Sequence, residues 1–306
     1  MATRVLNRIL PQFVMTAAIV SGVACTDRLR DYTQVTLEAS PLKNGSMMSP
    51  EVLNATKAIV ETRLAGLGVE QAEVETAEPD KIIVRLPEQV NARAAEAILT
   101  STGKLYFRNQ KPDTEAELAS NIEDLQRLLI EQNTLTQLDG QIDEQPDEQS
   151  DEQANAEALQ AQIDELRGAI ASLFEPTELT GELLYNAKIQ PADTGSDIWD
   201  VHIQFDGQGA DMFAAQTKEM AGTGRSIGLF LDDVLLSTPQ VSDVYEKTGI
   251  TVGSAVISGN FTKVAAKDLQ VQLQSGALPV SLKTVELCRY QSGEGACWNS
   301  LEAAGL

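Results

Sequence analysis

Residues 33–39, TQVTLEA, alternate polar and apolar positions with the period of a half-buried strand. Helical spacing comes next. Ser49 can cap a helix, and Pro50 suits its first turn, where a missing N–H costs nothing. Val52, Ala55, Ile59, Val60 and Leu64 form the apolar face, and Gly66 and Gly68 end it. Residues 81–86 read as a strand of branched side chains stopped at Pro87. Residues 91–101 read as a second helix with Ala94, Ala97, Ile98 and Leu99 inward, and 104–108 as another short strand. The order β-α-β-α-β predicts an α+β fold with a ferredoxin-like base.

The pattern then changes. Leu118, Ile122, Leu125 and Leu129 step by heptad intervals, as do Leu159, Ile163, Leu166, Ile170 and Leu173. Between these seams lies a repeat, DEQP-DEQS-DEQA at 143–154. Like charge at this density resists packing, and Pro146 interrupts a helix. Two antiparallel helices with a solvated acidic tip are expected; the repeat does not match the spacing of an EF-hand calcium loop.

Beyond Pro176 a second globular part is expected. Leu179, Leu183, Leu184 and Ala187 space as a helix over 179–187, and residues 198–205 alternate as a strand. Asp206 can cap a helix carrying Met212, Phe213, Thr217 and Met220. Residues 226–231 and 234–236 form a strand pair around Asp232-Asp233. A strand at 255–257, a Thr262-capped helix to Leu273 and a last strand at 280–285 complete the body. His202 sits among the polar positions of its strand and reads as a solvent-facing residue.

Charge and composition narrow the chemistry. The 306 residues carry a net charge of -22, which argues against nucleic acid and against a polybasic membrane face. Residues 113–165 alone hold 16 acids and one Arg, leaving -7 for the remainder. With one histidine, zinc sites and His-dependent triads are poor readings. No phosphate-cradling loop is present, and neither a cofactor nor an enzyme activity is expected.

Arg4 and Arg8 precede an apolar run at 13–20 and then small residues up to Cys25, the layout of a secretory leader. The segment GVAC at 22–25 resembles a bacterial lipobox, with Cys25 as the lipidation site and Gly22 where that pattern usually has Leu. Simple cleavage and an uncleaved signal anchor are the alternatives. Each places the body outside the cytoplasm, where Cys288 and Cys297 are expected to pair and to hold Trp298 and Leu301 near the body. Inert thiols are the alternative.

Six stretches in order resemble the first periplasmic domain of the SecD family of protein translocase accessory subunits. They are ETRLAGLGV at 61–69, KIIVRLP at 81–87, GKLYFR at 103–108, FDGQG at 205–209 with Phe213 and Thr217, IGLFLDD at 227–233 with STP at 237–239, and ISGNFT at 257–262 followed by LQSGALP at 273–279. The family's transmembrane bundle would follow this domain, yet only 21 residues come after Val285, without an apolar run. The resemblance implies a base (26–108 with 257–287) and an inserted head (176–256), which join the leader (1–25), the helical insert (109–175) and the tail (288–306) read from the residues.

It also implies an extracytoplasmic body that binds unfolded preprotein or docks on Sec translocase components, held at the membrane by an N-terminal lipid or signal anchor. Phe213, Leu236, Pro239 and Phe261 are the candidate polypeptide-binding residues, each with a core reading of equal weight. The competing function is a structural lipoprotein that recruits a partner through its acidic hairpin.

Overall fold

A computed structural model describes residues 31–42, 48–77, 79–139, 149–291 and 294–298. In chain order these form β1 (Tyr32–Pro41), α1 (Pro50–Gly66), β2 (Glu73–Ala77), β3 (Lys81–Pro87), α2 (Ala92–Thr100), β4 (Leu105–Gln110), α3 (Glu115–Asp139) and α4 (Gln149–Ser172). Then come β5 (Phe174–Thr180), β6 (Leu184–Pro191), β7 (Trp199–Phe205), α5 (Gly207–Met220), β8 (Ile227–Leu231), β9 (Val234–Ser237), β10 (Ser254–Phe261), α6 (Lys263–Ser275), β11 (Val280–Gln291) and β12 (Glu294–Trp298). The fold is mixed α+β. None of the described helices is long and apolar enough to cross a membrane.

The first lobe is a sheet ordered β12-β11-β1-β3-β2, with every neighbouring pair antiparallel. Its core joins Val35 and Leu37 of β1, Ile82, Val84 and Leu86 of β3 and Leu287 of β11 to α1 and α2. Local chemistry sets the helix starts. Ser49 Oγ accepts from Val52 N at 3.3 Å, and Asn91 Oδ1 from Ala94 N at 3.0 Å. The buried face of α1 is Leu53, Thr56, Val60, Arg63 and Leu64, and that of α2 is Ala92, Ala95, Ile98 and Leu99. Ala55, Ala94 and Ala97, expected inward, are exposed. Alanine carries too little apolar surface to hold its helix to one orientation, so the larger neighbours decide.

Two further sheets, β5-β4-β8-β9 and β10-β7-β6, enclose the second core with α5 and α6. Three sequence expectations change here. Residues 104–108 were expected beside the first sheet, but β4 pairs with β5 and β8. The helix expected at 179–187 is the end of β5, a short 3₁₀ turn and the start of β6. Thr177, Thr180, Gly181 and Asn186 are weak helix formers, and the strand partners override the leucine spacing. The last strand extends to Gln291, and β2, with only Val74 buried, had no apolar alternation to reveal it.

The insert forms α3 and α4, packed antiparallel: Leu118 near the start of α3 clusters with Ile170 and Leu173 at the end of α4. Further out, Gln132 Nε2 donates to Gln160 Oε1 at 2.8 Å. Of the acidic repeat at 143–154, residues 143–148 lie outside the described residues, and 149–154 form the first turns of α4. At its root the hairpin shares a core with the β4 sheet, where Phe174 and Phe230 meet edge to face at 5.1 Å. Arg108 lies 4.4 Å from the Phe230 ring and pairs with Asp233 at 3.1 Å. The root is therefore part of the body and the outer turns are not. Replacing residues 134–157 with a short Gly/Ser linker should change unfolding free energy in urea by less than about 0.5 kcal/mol. Ile170→Ala should cost about 2–5 kcal/mol in the same titration.

Candidate functional site at the lobe junction

Two chain segments connect the lobes: 101–104, from α2 to β4, and 276–279, from α6 to β11. They run side by side, and Leu278 N donates to Thr102 O at 2.7 Å. Arg63 stands behind both. It falls on the inward face of α1 and has no exposed surface. Its Nη1 donates to Ile98 O at 2.7 Å and Ser101 O at 2.5 Å, its Nη2 to Thr102 O and Gly276 O at 3.3 Å each, and its Nε to Ser275 Oγ at 3.2 Å. All five N–H groups are used, as burial of a charged fork requires. Burial pushes the guanidinium down to about 10, opposed by Asp232, so it remains charged at neutral pH.

The opposite side of the same loop is held by an anion from the second lobe. Asp232, in the β8–β9 turn, has a left-handed backbone with φ 55°. Its carboxylate accepts from Thr102 N at 3.1 Å, Gly103 N at 3.4 Å and Lys104 N at 3.0 Å, and from the hydroxyls of Ser101 and Thr102. Asp232 N returns a bond to Lys104 O at 2.7 Å. Gly103 has φ 71°, and a Cβ there would lie 2.6 Å from Arg63 Nη2. Only glycine fits between cation and anion. A cavity of about 280 Å3 opens beside the junction, lined in part by Lys104, Tyr106, Glu182, Leu184, Leu273 and Ala277.

A second concavity, about 390 Å3, lies on the second lobe at the start of α5. Tyr185 and Val252 flank it, 78% and 75% exposed, with Phe205 and Ala210 in its lining.

The structure separates the sequence candidates. Phe213 offers no surface: it is buried, with its ring 5.0 Å from Phe205 and 6.3 Å from Phe107. Leu236 and Phe261 are half-buried against the same core. Pro239 is exposed, and its carbonyl accepts from Ile227 N at 2.9 Å. His202 is half-buried, paired across the sheet with Lys188 and Val256. Cys25, Leu301 and the leader lie outside the described residues. Cys288 and Cys297 are joined in a disulfide across β11 and β12. Ligand atoms of Glu286 and these two cysteines lie within 4.8 Å of one another, but the bridge leaves no thiolate to ligate a metal.

Sequence reasoning passed over Arg63, Asp232, Tyr185 and Val252. A signal existed for the first: an arginine three residues after Val60 and beside Leu64, on an apolar stripe. Asp232 looked like an ordinary turn residue.

The body is thus two lobes joined by paired crossings, with a helical hairpin rooted in one of them. The crystal structure of SecDF in its super-membrane-facing form has this fold, with a TM-score of 0.60, 22% identity, and coverage of 85% of this chain and 30% of that one. A second structure, of a membrane component SecDF that enhances protein export, gives 0.56 at 22% identity, covering 82% of this chain and 97% of that one. The family model for the SecDF P1 head subdomain matches residues 156–280, and that for the N-terminal P1 domain of protein translocase subunit SecDF matches 53–112. Protein translocase subunit SecD of Synechocystis sp. is 39% identical over 261 residues, 84% of this chain and 53% of that protein. That of Prochlorococcus marinus is 32% identical over 279 residues, 85% and 56%. The chain belongs to the SecD family, and it spans about half the length of the curated relatives it matches.

The junction makes a testable demand. Arg63→Lys keeps the charge but offers three donors for five bonds, and should cost about 2–4 kcal/mol in chemical denaturation. Asp232→Asn tolerates the left-handed backbone and should cost about 1–3 kcal/mol. Both act on the 101–104 loop, so the double variant should depart from additivity by about 1 kcal/mol or more. Strict additivity would mean that the two contacts are independent.

Proposed function

We propose that this chain serves protein translocation as the extracytoplasmic P1 body of a SecD-type subunit, holding extended preprotein segments without converting them chemically. The observation that carries this reading is the exposed concavity flanked by Tyr185 and Val252, with polar as well as apolar lining, on the lobe that matches the P1 head. Two large side chains exposed beside one cavity suit the passing apolar residues of an unfolded chain, which has many weak contacts to offer and no fixed shape. Leu236, Pro239 and Phe261 are further candidates on the same lobe, outside the lining of this concavity. A membrane component SecDF described as enhancing protein export shares the fold.

The base supports a ferredoxin-like reading, because β11-β1-β3-β2 with α1 and α2 reproduces a βαββαβ unit with strand order 4-1-3-2. In this reading α3 and α4 are a short coiled coil. Its root is built into the β4 sheet, which favours a structural part in the body over a free recruiting arm. Attachment to the membrane, through lipid on Cys25 or through a signal anchor, would hold the body beside the translocase.

The test is photo-crosslinking in cells that make an export-arrested preprotein, with the crosslinker at Tyr185, at Val252, or at exposed Glu294 on the base edge as control. Crosslinks to preprotein from 185 and 252 should exceed those from 294 several-fold. Equal yields at all three positions would remove the head surface as the contact.

A further inference from the structure

The edge of the base carries a feature that preprotein handling does not use. β12 is a five-residue strand at the end of the sheet, and all of it but half-buried Trp298 is exposed. Gly295 and Ala296 contribute little strand preference. Three things hold the strand: its pairing with β11, the packing of Trp298 against the base core, and the Cys288–Cys297 bridge between directly facing residues. The bridge is asymmetric. Cys288 is 2% exposed, whereas Cys297 lies on the open side.

We propose that Cys297 Sγ is a thiol–disulfide exchange site and that the bridge is a clasp, opened by a dithiol reductant to release β12 from the base. A thiolate of the dithiol attacks Sγ of Cys297, the exposed residue of the pair. The Cys288–Cys297 bond breaks, and its electron pair leaves on the Cys288 sulfur, which takes up a proton. The second thiolate of the dithiol then attacks its own sulfur in the mixed disulfide and expels the Cys297 sulfur, which takes up a second proton. The protein gains two electrons and two protons, and the dithiol becomes a disulfide.

Glu286 sets the rate of this exchange. Its carboxylate lies within 4.8 Å of both sulfurs, where it opposes an incoming thiolate and the charge left on Cys288. Once the clasp is open, β12 is held by its five residue pairs with β11, two of which have only Gly295 or Ala296 on the β12 side, and by the half-buried Trp298. The strand then frees those backbone groups of β11 at 287–291 that face it, the others staying paired with β1, and uncovers Leu287, which is fully buried in the closed form.

The experiment uses the full chain with dithiothreitol under native conditions, in a Trp199→Phe background so that Trp298 is the remaining indole. Reduction should proceed without global unfolding. Amides of 294–298, and those of 287–291 that face β12, should lose exchange protection while β1, β3 and the β11 amides bonded to β1 keep theirs, and Trp298 emission should shift to the red. Cys288→Ser with Cys297→Ser should reproduce this state without reductant, and Glu286→Gln should speed reduction about three- to tenfold. Reduction only at the rate of global unfolding would overturn the exchange site. A reduced or doubly substituted protein with β12 still protected and Trp298 unshifted would overturn the clasp.

Discussion

A guanidinium with no exposed surface must find an acceptor for each of its five N–H groups, and the acceptors Arg63 finds determine how the two lobes meet. Four of them are backbone carbonyls at the end of α2, in the 101–104 loop and just past α6. Buried without a donor, each would cost about 1–3 kcal/mol. The cation therefore fixes where both crossings pass. Asp232 completes the arrangement by supplying the opposite charge to the N–H side of the same loop. Cation and anion do not pair directly; they act through four residues of backbone. For the lobes to separate here, both groups would have to give up these bonds together.

Around this junction the rest of the body is conventional packing. α6 belongs to both lobes: Leu269 and Leu273 enter the second core, while Val271 approaches α1 where Gly66 leaves room. A Cβ at Gly66 would come within 2.8 Å of Val271, so the helices could not approach as closely with any other residue. The second lobe can thus present Tyr185 and Val252 on a surface whose position relative to the base is set by α6 and the junction together.

Much of this was legible in the sequence where side-chain pattern and local chemistry agree. Ser49, Asn91, Asp206 and Thr262 all cap helices through their own side chains, and short-range capping is readable without a partner. The heptad leucines located α3 and α4 for the same reason. Non-local effects were not readable. Nothing in residues 104–108 says which sheet will accept β4, and the spacing of Leu179, Leu183 and Ala187 fits a helix until Phe107, Phe205 and their strands are present. The junction was the least legible part, since Arg63 and Asp232 are 169 positions apart and nothing in either segment points to the other. Phe213, open in the sequence to both a contact and a core reading, is a core residue because two other rings pack against it.

The most direct measurement of the account is native-state hydrogen exchange at the amides of Thr102, Gly103, Lys104 and Leu278. If the paired charges hold the lobes as one body, these four amides, though in loops, should exchange only through global unfolding, with the same free energy as core amides of β1 and β4. Exchange of all four through a local opening several kcal/mol below the global value would show that the lobes part at the junction and would contradict the role given to Arg63 and Asp232.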